Sequence, residues 1–346
     1  MLAKVDCKLN LMQFNDLQKK GLNVVAIGGG TGLSSLLYGL KAYVDSDLQP
    51  AVRRLSAIVA VSDDGGSSGR LRNELQMPPP GDIRNCMVAL GEDSLLLSRL
   101  FQHRFRGTGD LGGHSFGNLF LAALSEITGD FAEAVRLSSE ILASKGHIYP
   151  ATMADVRLAA ILEEGTVVRG ETNISRIGPR IRRLYLEPED CRPLPDAIMA
   201  ISEADIITLG PGSLFTSLLP PLLVRGVGDA IAASRAVKVF ICNLMTQPGE
   251  TDGLSSRRHV EIVAEYLPQV KFDIIIVNNQ PITPAQAAKY LAEGAEQIGI
   301  HGSIDESEIG SGRIVYAKLL QEGEKVRYDP ARLAQTVLES AVKLLS

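Results

Sequence analysis

The sequence predicts an α/β protein, a three-layer structure in which helices cover both faces of a mostly parallel sheet. The first observation is a series of short apolar runs, rich in Val and Ile, without polar–apolar alternation, as is typical of strands buried on both faces. These predicted strands are residues 23–27, 55–61, 205–209, 237–242 and 272–277. The second observation is that segments with helical periodicity separate them. Strands that alternate with helices indicate a parallel sheet.

The predicted helices connect these strands in chain order. The clearest patterns are residues 33–42, 83–105 with a break near Gly91, 114–127 and 131–143. Asp130 stands directly before the last of these. A carboxylate there can accept hydrogen bonds from the free N–H groups of the first turn, so we expect an N-cap. A strand at 312–317 and a C-terminal helix at 331–345 complete the alternation.

The chain is long enough for a large core, since 45% of its 346 residues are hydrophobic. Chains of this size bury about three quarters of the surface that the unfolded form exposes. We expect a lead-in over residues 1–21 and a single domain over residues 22–346. Strand patterns at 156–161, 166–169 and 181–186 interrupt the alternation. They predict a meander that forms an inserted β-arm at about residues 155–187, a candidate homodimer contact.

Composition argues against several function classes. The formal net charge is −5, whereas a general nucleic-acid binder needs clustered Lys and Arg, so we expect no nucleic-acid partner. The four cysteines are widely spaced, as in a cytosolic protein with reduced thiols and no zinc site. Neither a signal peptide nor an apolar run of membrane-spanning length is evident. We therefore expect a cytoplasmic protein without membrane insertion.

Glycine-rich or polar loops directly follow five of the predicted strands. These loops are residues 28–32, 62–69, 210–213, 243–252 and 278–280. The carboxyl ends of parallel strands share one edge of a sheet, and ligands bind in the crevice there, so we expect the five loops to converge on one site. Glycine-rich turns into helices favour phosphate groups. The sequence thus predicts a phosphate-bearing ligand, in particular a nucleotide.

The first loop reads Gly-Gly-Gly-Thr-Gly and leads into a helix. Glycine lets the backbone approach a ligand closely, and the positive end of a helix favours an anion by roughly 0.3–1 kcal/mol. The loop differs from a dinucleotide fingerprint because Leu33 replaces the last glycine of G-x-G-x-x-G. It differs from a P-loop because no Gly-Lys-Ser/Thr follows. A tight strand-to-helix turn is the alternative interpretation.

The second loop carries two adjacent carboxylates, Asp63 and Asp64, followed by small residues up to Gly69. The carboxylates could accept hydrogen bonds from ribose or sugar hydroxyls, or hold Mg²⁺ between phosphates. Alternatively, one of them only caps the next helix. The glycines and serines behind them could form an anion-binding nest. A rigid proline turn then leads to Asp82, a candidate N-cap.

Residues 113–117 read Gly-His-Ser-Phe-Gly and match the G-x-S-x-G pattern of a nucleophile elbow. That motif requires a strand directly before it, but residues 106–112 read as a glycine-rich loop, which argues against a catalytic serine. We expect instead that His114, Ser115 and Asn118 open a helix whose first turn faces the ligand.

Six segments resemble the CofD/YvcK family, and the resemblance covers nearly the whole chain. They are residues 28–34, 62–71, 79–86, 113–119, 210–217 and 242–253. The resemblance implies a CofD-like, Rossmann-like fold. One branch of the family consists of transferases that move a phospholactyl group from a GDP-linked donor to a deazaflavin, with Mg²⁺. The other branch, the gluconeogenesis factors, binds UDP-sugars such as UDP-N-acetylglucosamine and influences bacterial cell shape and wall synthesis.

Two features resemble the second branch more closely. The first loop differs from the Gly-Gly-Val-Gly-Gly type of the transferases, and residues 243–253 match the gluconeogenesis factors. The resemblance also implies that Arg327, within Val-Arg-Tyr-Asp, helps to bind a nucleotide sugar. It implies cell-wall or morphogenesis proteins as further partners.

The combined prediction is one ligand site built from loops and from the first turns of helices. Asp63 and Asp64 are the candidate catalytic residues and the candidate Mg²⁺ ligands. The predicted ligand-binding residues are Gly28, Gly29, Gly30, Thr31, Gly32, Leu33, Asp63, Asp64, Gly65, Gly66, Ser67, Ser68, Asp82, Asn85, His114, Asn118, Gly210, Pro211, Gly212, Ser213, Asn243, Thr246 and Arg327.

Three functions stay open at this point. The first is a regulatory protein that binds a nucleotide sugar. The second is a CofD-type, Mg²⁺-dependent transferase of a phosphorus-containing group, in which positioning and charge stabilisation dominate catalysis. The third is an NAD-dependent oxidoreductase, which the incomplete fingerprint argues against. Because fold does not decide function, GDP and NAD also count as candidate ligands of a site that recognises a diphosphate.

Overall fold

A computed structural model describes residues 21–92, 95–177, 181–299 and 312–345, so residues 1–20 of the predicted lead-in lie outside the described part. The strands are β1 (Leu22–Gly28), β2 (Val52–Val59), β3 (His147–Pro150), β4 (Arg157–Leu162), β5 (Val167–Arg169), β6 (Ile181–Glu187), β7 (Ile206–Leu209), β8 (Val237–Ile241), β9 (Ile274–Asn278) and β10 (Arg313–Ala317). One seven-stranded sheet has the order β10-β9-β8-β7-β1-β2-β3. All of its neighbouring strands are parallel. The predicted α/β fold with a mostly parallel sheet is confirmed.

The strand order reverses beside β1. From β1 the chain moves outward to β2 and β3, and it later returns to β7 on the other side of β1 before continuing outward to β10. The connections after β1 and β7 therefore run in opposite directions along the sheet. In open α/β sheets such a switch point leaves a crevice at the carboxyl edge, and ligands bind there.

Helices cover both faces of this sheet. They are α1 (Gly30–Leu40), α2 (Gly66–Leu75), α3 (Gly81–Leu90), α4 (Leu95–Gln102), α5 (Phe116–Thr128), α6 (Phe131–Ile141), α7 (Glu171–Ile174), α8 (Pro195–Ser202), α9 (Leu219–Leu223), α10 (Val227–Ala233), α11 (Ser256–Tyr266), α12 (Pro284–Ala292) and α13 (Pro330–Leu345). A π-helical segment, Leu214–Leu218, runs directly into α9. Asp130 caps α6 as predicted. Among the described residues, no single helix has the length and apolarity to cross a membrane, although the bent pair Leu214–Leu223 and Val227–Ala233 meets both criteria jointly.

Strand β1 shows how the sheet divides the core. Val24 and Ala26 belong to the cluster on one face, where α1, α3 and α13 pack. Val25 and Ile27 belong to the cluster on the other face. All four side chains are buried. Since both faces of the strand are covered, apolar residues occupy successive positions, which explains the absence of alternation in the sequence.

The small second sheet packs onto the second face. Its order is β5-β4-β6, with antiparallel neighbours, so β4 lies in the middle. The predicted meander, which would place β5 in the middle, is therefore wrong. Leu158, Ala160 and Leu184 of this sheet are buried in one cluster with Val25 and Ile27. Those strands thus contribute to the core of the domain.

Among the elements that the sequence did not predict are β3 and α2. β3 has four residues and ends in Pro150, so neither length nor composition marks it as a strand. It forms the sheet edge because its backbone pairs with β2. α2 begins with Gly-Ser-Ser-Gly, residues of modest or low helix propensity that suggest a loop.

Candidate functional site

A cavity of about 240 Å³ lies where the strand order reverses. The loops after β1, β7 and β8 line it together with a segment just before α13. Its lining residues are Gly30, Thr31, Gly32, Ser35, Pro211, Gly212, Ser213, Ser217, Asn243, Leu244, Met245, Gln247, Val326, Arg327 and Tyr328. Three of the five predicted loops therefore converge on one cavity.

The first loop brings the start of α1 to this cavity. Gly30 has a φ of +65°, a left-handed conformation that favours glycine. A Cβ atom on Gly32 would clash with the carbonyl oxygen of Pro211, so the loops after β1 and β7 approach this closely only because residue 32 has no side chain. Thr31 and Gly32 belong to the first turn of α1 and line the cavity. First-turn N–H groups have no acceptor within the helix, which makes this end of α1 a candidate anion site.

Asp82 lies behind the first loop and contacts its backbone. Burial, with a smaller contribution from the charge of Asp63, raises the pKa of this carboxyl to about 6, although the hydrogen bond that it accepts from the Gly30 N–H lowers the pKa. A Cβ atom on Gly29 would lie 2.5 Å from an Asp82 carboxylate oxygen. The predicted N-cap role of Asp82 is wrong, because Pro80 occupies that position and Asp82 lies in the first turn of α3.

Asp63 and Glu171 form a carboxyl pair near Asp82. Asp63 Oδ1 accepts a hydrogen bond from the Gly65 N–H at 2.9 Å. Burial, followed by the charge of Asp63 and a side-chain hydrogen bond to it, raises the pKa of Glu171 well above its ordinary value. Burial and the neighbouring Asp63 carboxylate both disfavour the charged form of Glu171, so we expect Glu171 to hold a proton at neutral pH.

The neighbouring Asp64 has a different role. Its Oδ1 accepts hydrogen bonds from the backbone N–H of Thr172 at 3.0 Å and from the Thr172 hydroxyl at 2.7 Å. Asp64 thereby connects the second loop to α7, which leaves Asp63 as the better placed candidate for Mg²⁺. Within the described ranges, no group of three or more His, Cys, Asp or Glu side chains is arranged to hold a metal ion. A Mg²⁺ ion at Asp63 would therefore take most of its ligands from water and phosphate oxygens, as Mg²⁺ often does.

Ser67, His114 and Asn118 form a buried network between α2 and the start of α5. Ser67 Oγ lies 2.9 Å from His114 Nδ1, and Asn118 Nδ2 donates a hydrogen bond to Ser67 Oγ at 3.1 Å. Burial and the nearby Arg70 guanidinium lower the pKa of His114. Residues 66–69 form the first turn of α2, which corrects the prediction of an anion-binding nest before that helix. These predicted ligand residues hold helices together and do not line the cavity.

Arg84 connects α3 to the start of α5 by hydrogen bonds, a role that the sequence did not predict. Its guanidinium donates hydrogen bonds to Ser115 Oγ at 2.7 Å and to Asn85 Oδ1 at 2.5 Å. Ser115 also caps α5 by accepting a hydrogen bond from the Asn118 N–H. A turn precedes Ser115, and its side chain is fully buried. The structure thus agrees with the rejection of a nucleophile elbow.

The Glu250 carboxylate lies at the N-terminus of the π-helical segment Leu214–Leu218, which follows the loop after β7. Its Oε1 accepts hydrogen bonds from the backbone N–H groups of Phe215 at 2.9 Å and Thr216 at 3.3 Å. Burial raises the pKa of this carboxyl. The Gly212 N–H is also engaged, since it donates to Asn243 Oδ1 at 3.2 Å. The loop after β7, residues 210–213, was predicted to supply N–H donors to the ligand, but the protein itself uses the N–H groups of Gly210, which donates to the Ile27 carbonyl oxygen, and of Gly212.

The remaining walls of the cavity come from the loop after β8 and from the segment before α13. Gln247 Nε2 donates a hydrogen bond to Ser213 Oγ at 2.7 Å, which ties two lining loops together. The Tyr328 hydroxyl donates to the carbonyl oxygen of Cys242 and thereby positions the neighbouring Arg327. The Arg327 side chain is exposed at the cavity. A guanidinium at this position can approach a bound anion from solvent.

The predicted site residues fall into two groups, those that line the cavity and those that do not. Those that line the cavity are Gly30, Thr31, Gly32, Pro211, Gly212, Ser213, Asn243 and Arg327. Leu33 is fully buried in the core. Thr246 exchanges hydrogen bonds with the backbone of Glu296, and Asn278 of the fifth loop accepts one from the Leu319 N–H. Neither of these lines the cavity.

The lining residues that were not predicted are Ser35, Ser217, Leu244, Met245, Gln247, Val326 and Tyr328. Position in the sequence could have identified some of them. Ser35 lies one helical turn after Thr31 and therefore on the same helix face. Gln247 lies in the same loop as Asn243, and Val326 and Tyr328 flank Arg327.

Fold and site together define the class of this protein. It is an α/β protein whose glycine-rich loops meet at the switch point of a parallel sheet and present the start of a helix to a cavity. The chain belongs to the CofD family, since the family model described as 2-phospho-L-lactate transferase CofD matches residues 24–319.

Relatives within this family are similar over most of the chain. The chain is 45% identical to the gluconeogenesis factor of Halalkalibacterium halodurans over 323 residues, which are 92% of this chain and 97% of that protein. It is 44% identical to the gluconeogenesis factor of Bacillus subtilis over 318 residues, 91% of this chain and 97% of that protein. A crystal structure of a UPF0052 family member from Bacillus halodurans superimposes with a TM-score of 0.85 at 44% identity, and it covers 92% of this chain and 99% of that one. The predicted family is confirmed.

Proposed function

We propose that the protein binds a nucleotide sugar of the UDP-N-acetylglucosamine type and acts as a regulatory binding protein. The observation behind this proposal is that two phosphate-binding groups lie at one cavity. Glycines in the first loop let the first turn of α1 line the cavity, and Arg327 lines the same cavity. A helix N-terminus and a guanidinium are the two groups that proteins most often use for phosphate.

Each part of the cavity has a role in this proposal. The N–H groups of Thr31 and Gly32 would contact the diphosphate, and Arg327 would neutralise its charge from the solvent side. Asn243 and Gln247 would supply amide groups for the sugar or the base. The volume of about 240 Å³ is below the usual range for ligand pockets, so the cavity would enclose one portion of the ligand and leave the rest at the open edge.

The cellular role in this proposal follows the relatives. Their name, gluconeogenesis factor, favours a regulatory role in gluconeogenesis for this chain as well. Control of cell shape and wall synthesis through protein partners, a cytoplasmic location and a homodimer are further parts of the proposal.

Isothermal titration calorimetry with UDP-N-acetylglucosamine, GDP and NAD, each with and without Mg²⁺, tests this function. We expect saturable, metal-independent binding of the UDP-sugar, and we expect Arg327→Gln to weaken it by about tenfold or more because a charged contact to phosphate is lost. Lys325→Gln is the matched control, since this exposed cation is two residues away and does not line the cavity. Equal affinities of both variants for the UDP-sugar would show that Arg327 does not bind it.

A second candidate is a CofD-type transferase, which the family match favours. Asp63 lies close enough to affect the pKa of Asp82, which in turn contacts Gly30. Asp63 could hold Mg²⁺, which would polarise a bound diphosphate. This candidate predicts a preference for GDP and a strong increase of affinity with Mg²⁺. A preference for NAD would instead support the oxidoreductase.

A further inference from the structure

A second cavity, of about 430 Å³, lies between the small sheet and α2. It shares no lining residue with the cavity at the switch point. Residues of the second loop and α2 form one wall, and β4, β5 and the start of α7 form the other. The volume lies within the usual range for sites of small-molecule ligands.

Cationic groups surround this cavity. Arg157 and Arg169 both line it. Arg169 is paired with Glu187, with Nε 2.9 Å from Oε2, and Arg157 stands opposite the same Glu187 across the β4–β6 pair. Arg157 is exposed and has no ion pair of its own within the part of the chain that the structure describes. Arg72 and Asp64 also line the cavity, but Arg72 is paired with Asp155 and Asp64 accepts hydrogen bonds from Thr172. The exposed guanidinium of Arg157 is therefore the cationic group available to an anion, with Arg169 at the same cavity.

A buried hydroxyl group marks the inner end of the cavity. Ser62 is only 2% exposed and lines the cavity, yet its Oγ has no hydrogen-bond partner among the described residues. Buried polar atoms are nearly always paired, so an unpaired one indicates a group that the protein itself does not supply. Asn73 and Asn173 also line the cavity. Asn173 Nδ2 donates to the Arg169 carbonyl oxygen at 2.9 Å, so Asn173 contributes an acceptor and Asn73 a full amide group.

We propose that this cavity binds a small phosphorylated polyol, such as a sugar phosphate. Arg157 and Arg169 bind the phosphate, because a planar guanidinium donates paired hydrogen bonds to its oxygens. Ser62, Asn73 and Asn173 bind hydroxyl groups of the polyol. Because Asp64 and Arg72 are already engaged by Thr172 and Asp155, the groups left for a ligand are the guanidinium groups and neutral hydroxyl and amide groups, which match a ligand that carries one phosphate and several hydroxyl groups.

The short helix α7 connects this cavity to the switch point. Thr172 lines the cavity and donates two hydrogen bonds to Asp64. Glu171, the preceding residue, is hydrogen-bonded to Asp63. Occupancy of the cavity is therefore expected to change the affinity for UDP-N-acetylglucosamine, an effect that rests on the proposed function.

Calorimetry of the full chain with glucose 6-phosphate, ribose 5-phosphate and glycerol 3-phosphate tests the site directly, with glucose and inorganic phosphate as reference probes. We expect at least one phosphorylated polyol to bind saturably at concentrations up to about 5 mM, more tightly than either reference probe. Arg157→Gln should weaken this binding by about tenfold. Arg136→Gln, which removes an exposed arginine of α6 that does not line this cavity, should leave it unchanged.

Ser62→Ala provides a second variant whose folding is not in question, because the removed hydroxyl has no partner in the protein. We expect an unchanged melting temperature and weaker binding of the phosphorylated polyol. No saturable binding of any of the three probes, or equal affinities of wild type and Arg157→Gln, would overturn the proposal. Equal affinity for inorganic phosphate would overturn the polyol assignment. These titrations contain no nucleotide, so a failure of UDP-N-acetylglucosamine to bind would contradict the proposed function alone.

Discussion

Asp82→Asn should stabilise the protein at neutral and alkaline pH. The carboxyl is buried behind the first loop, and its pKa is raised from 3.8 to about 6. Because the folded state holds this proton more tightly than the unfolded state, wild-type stability falls as the pH rises from about 4 to about 6. A shift of about two pKa units corresponds to about 3 kcal/mol. The amide keeps an acceptor for the Gly30 N–H and cannot ionise, so the variant avoids this loss.

Urea unfolding at several pH values measures the effect. At about pH 4 the free energies of unfolding of wild type and variant should be similar, and at about pH 8 the variant should be more stable by about 2–3 kcal/mol. Asp47→Asn is the control, since that side chain is exposed and should give no such pH-dependent difference. A stability difference that stays constant between these pH values would refute the assignment of a raised pKa to Asp82.

Three further substitutions test the packing and the site. Gly39→Ala should destabilise the protein by about 1–3 kcal/mol or more in urea unfolding. The new Cβ would clash with the Pro330 carbonyl oxygen and lie 2.9 Å from the Cβ of Ala334. An unchanged unfolding midpoint would contradict the close packing of α1 on α13. Glu250→Ala should cost about 1–3 kcal/mol in the same assay, because two buried N–H groups lose their acceptor; Glu250→Gln, which keeps an acceptor, should recover most of the loss. Gly32→Ala should weaken UDP-N-acetylglucosamine binding by at least about tenfold in calorimetry, because its Cβ would force the loop after β7 away; wild-type affinity in a folded variant would show that this approach is not required.

Most of the architecture was predictable from local signals. Runs such as residues 272–277 are apolar at every position, and that pattern indicates a strand covered on both faces. Loops that follow such strands must lie at one edge, which is why Thr31, Gly212 and Asn243 could be assigned to one site from the sequence. β3 could not be predicted, because four residues ending in Pro150 form a strand only through pairing with β2.

The roles of individual polar residues were harder to predict. Asp63 and Asp64 are adjacent and chemically identical, yet Asp63 faces a second carboxyl while Asp64 accepts hydrogen bonds from Thr172. Thr172 lies 108 residues from Asp64 in the sequence, so no local sequence pattern could reveal this difference. The same holds for Glu250, whose carboxylate fills the helical N-terminus after β7.

The sequence by itself determined the alternation of strands and helices, the edge at which the loops lie, and the glycines that permit close approach. These properties depend on local periodicity and on the conformational range of single residues. Only the tertiary structure decided which loops are neighbours, because strand order places β7 beside β1 and separates the fifth loop from the cavity. It also decided which carboxylates are available to a ligand, since that depends on partners supplied by distant segments of the chain.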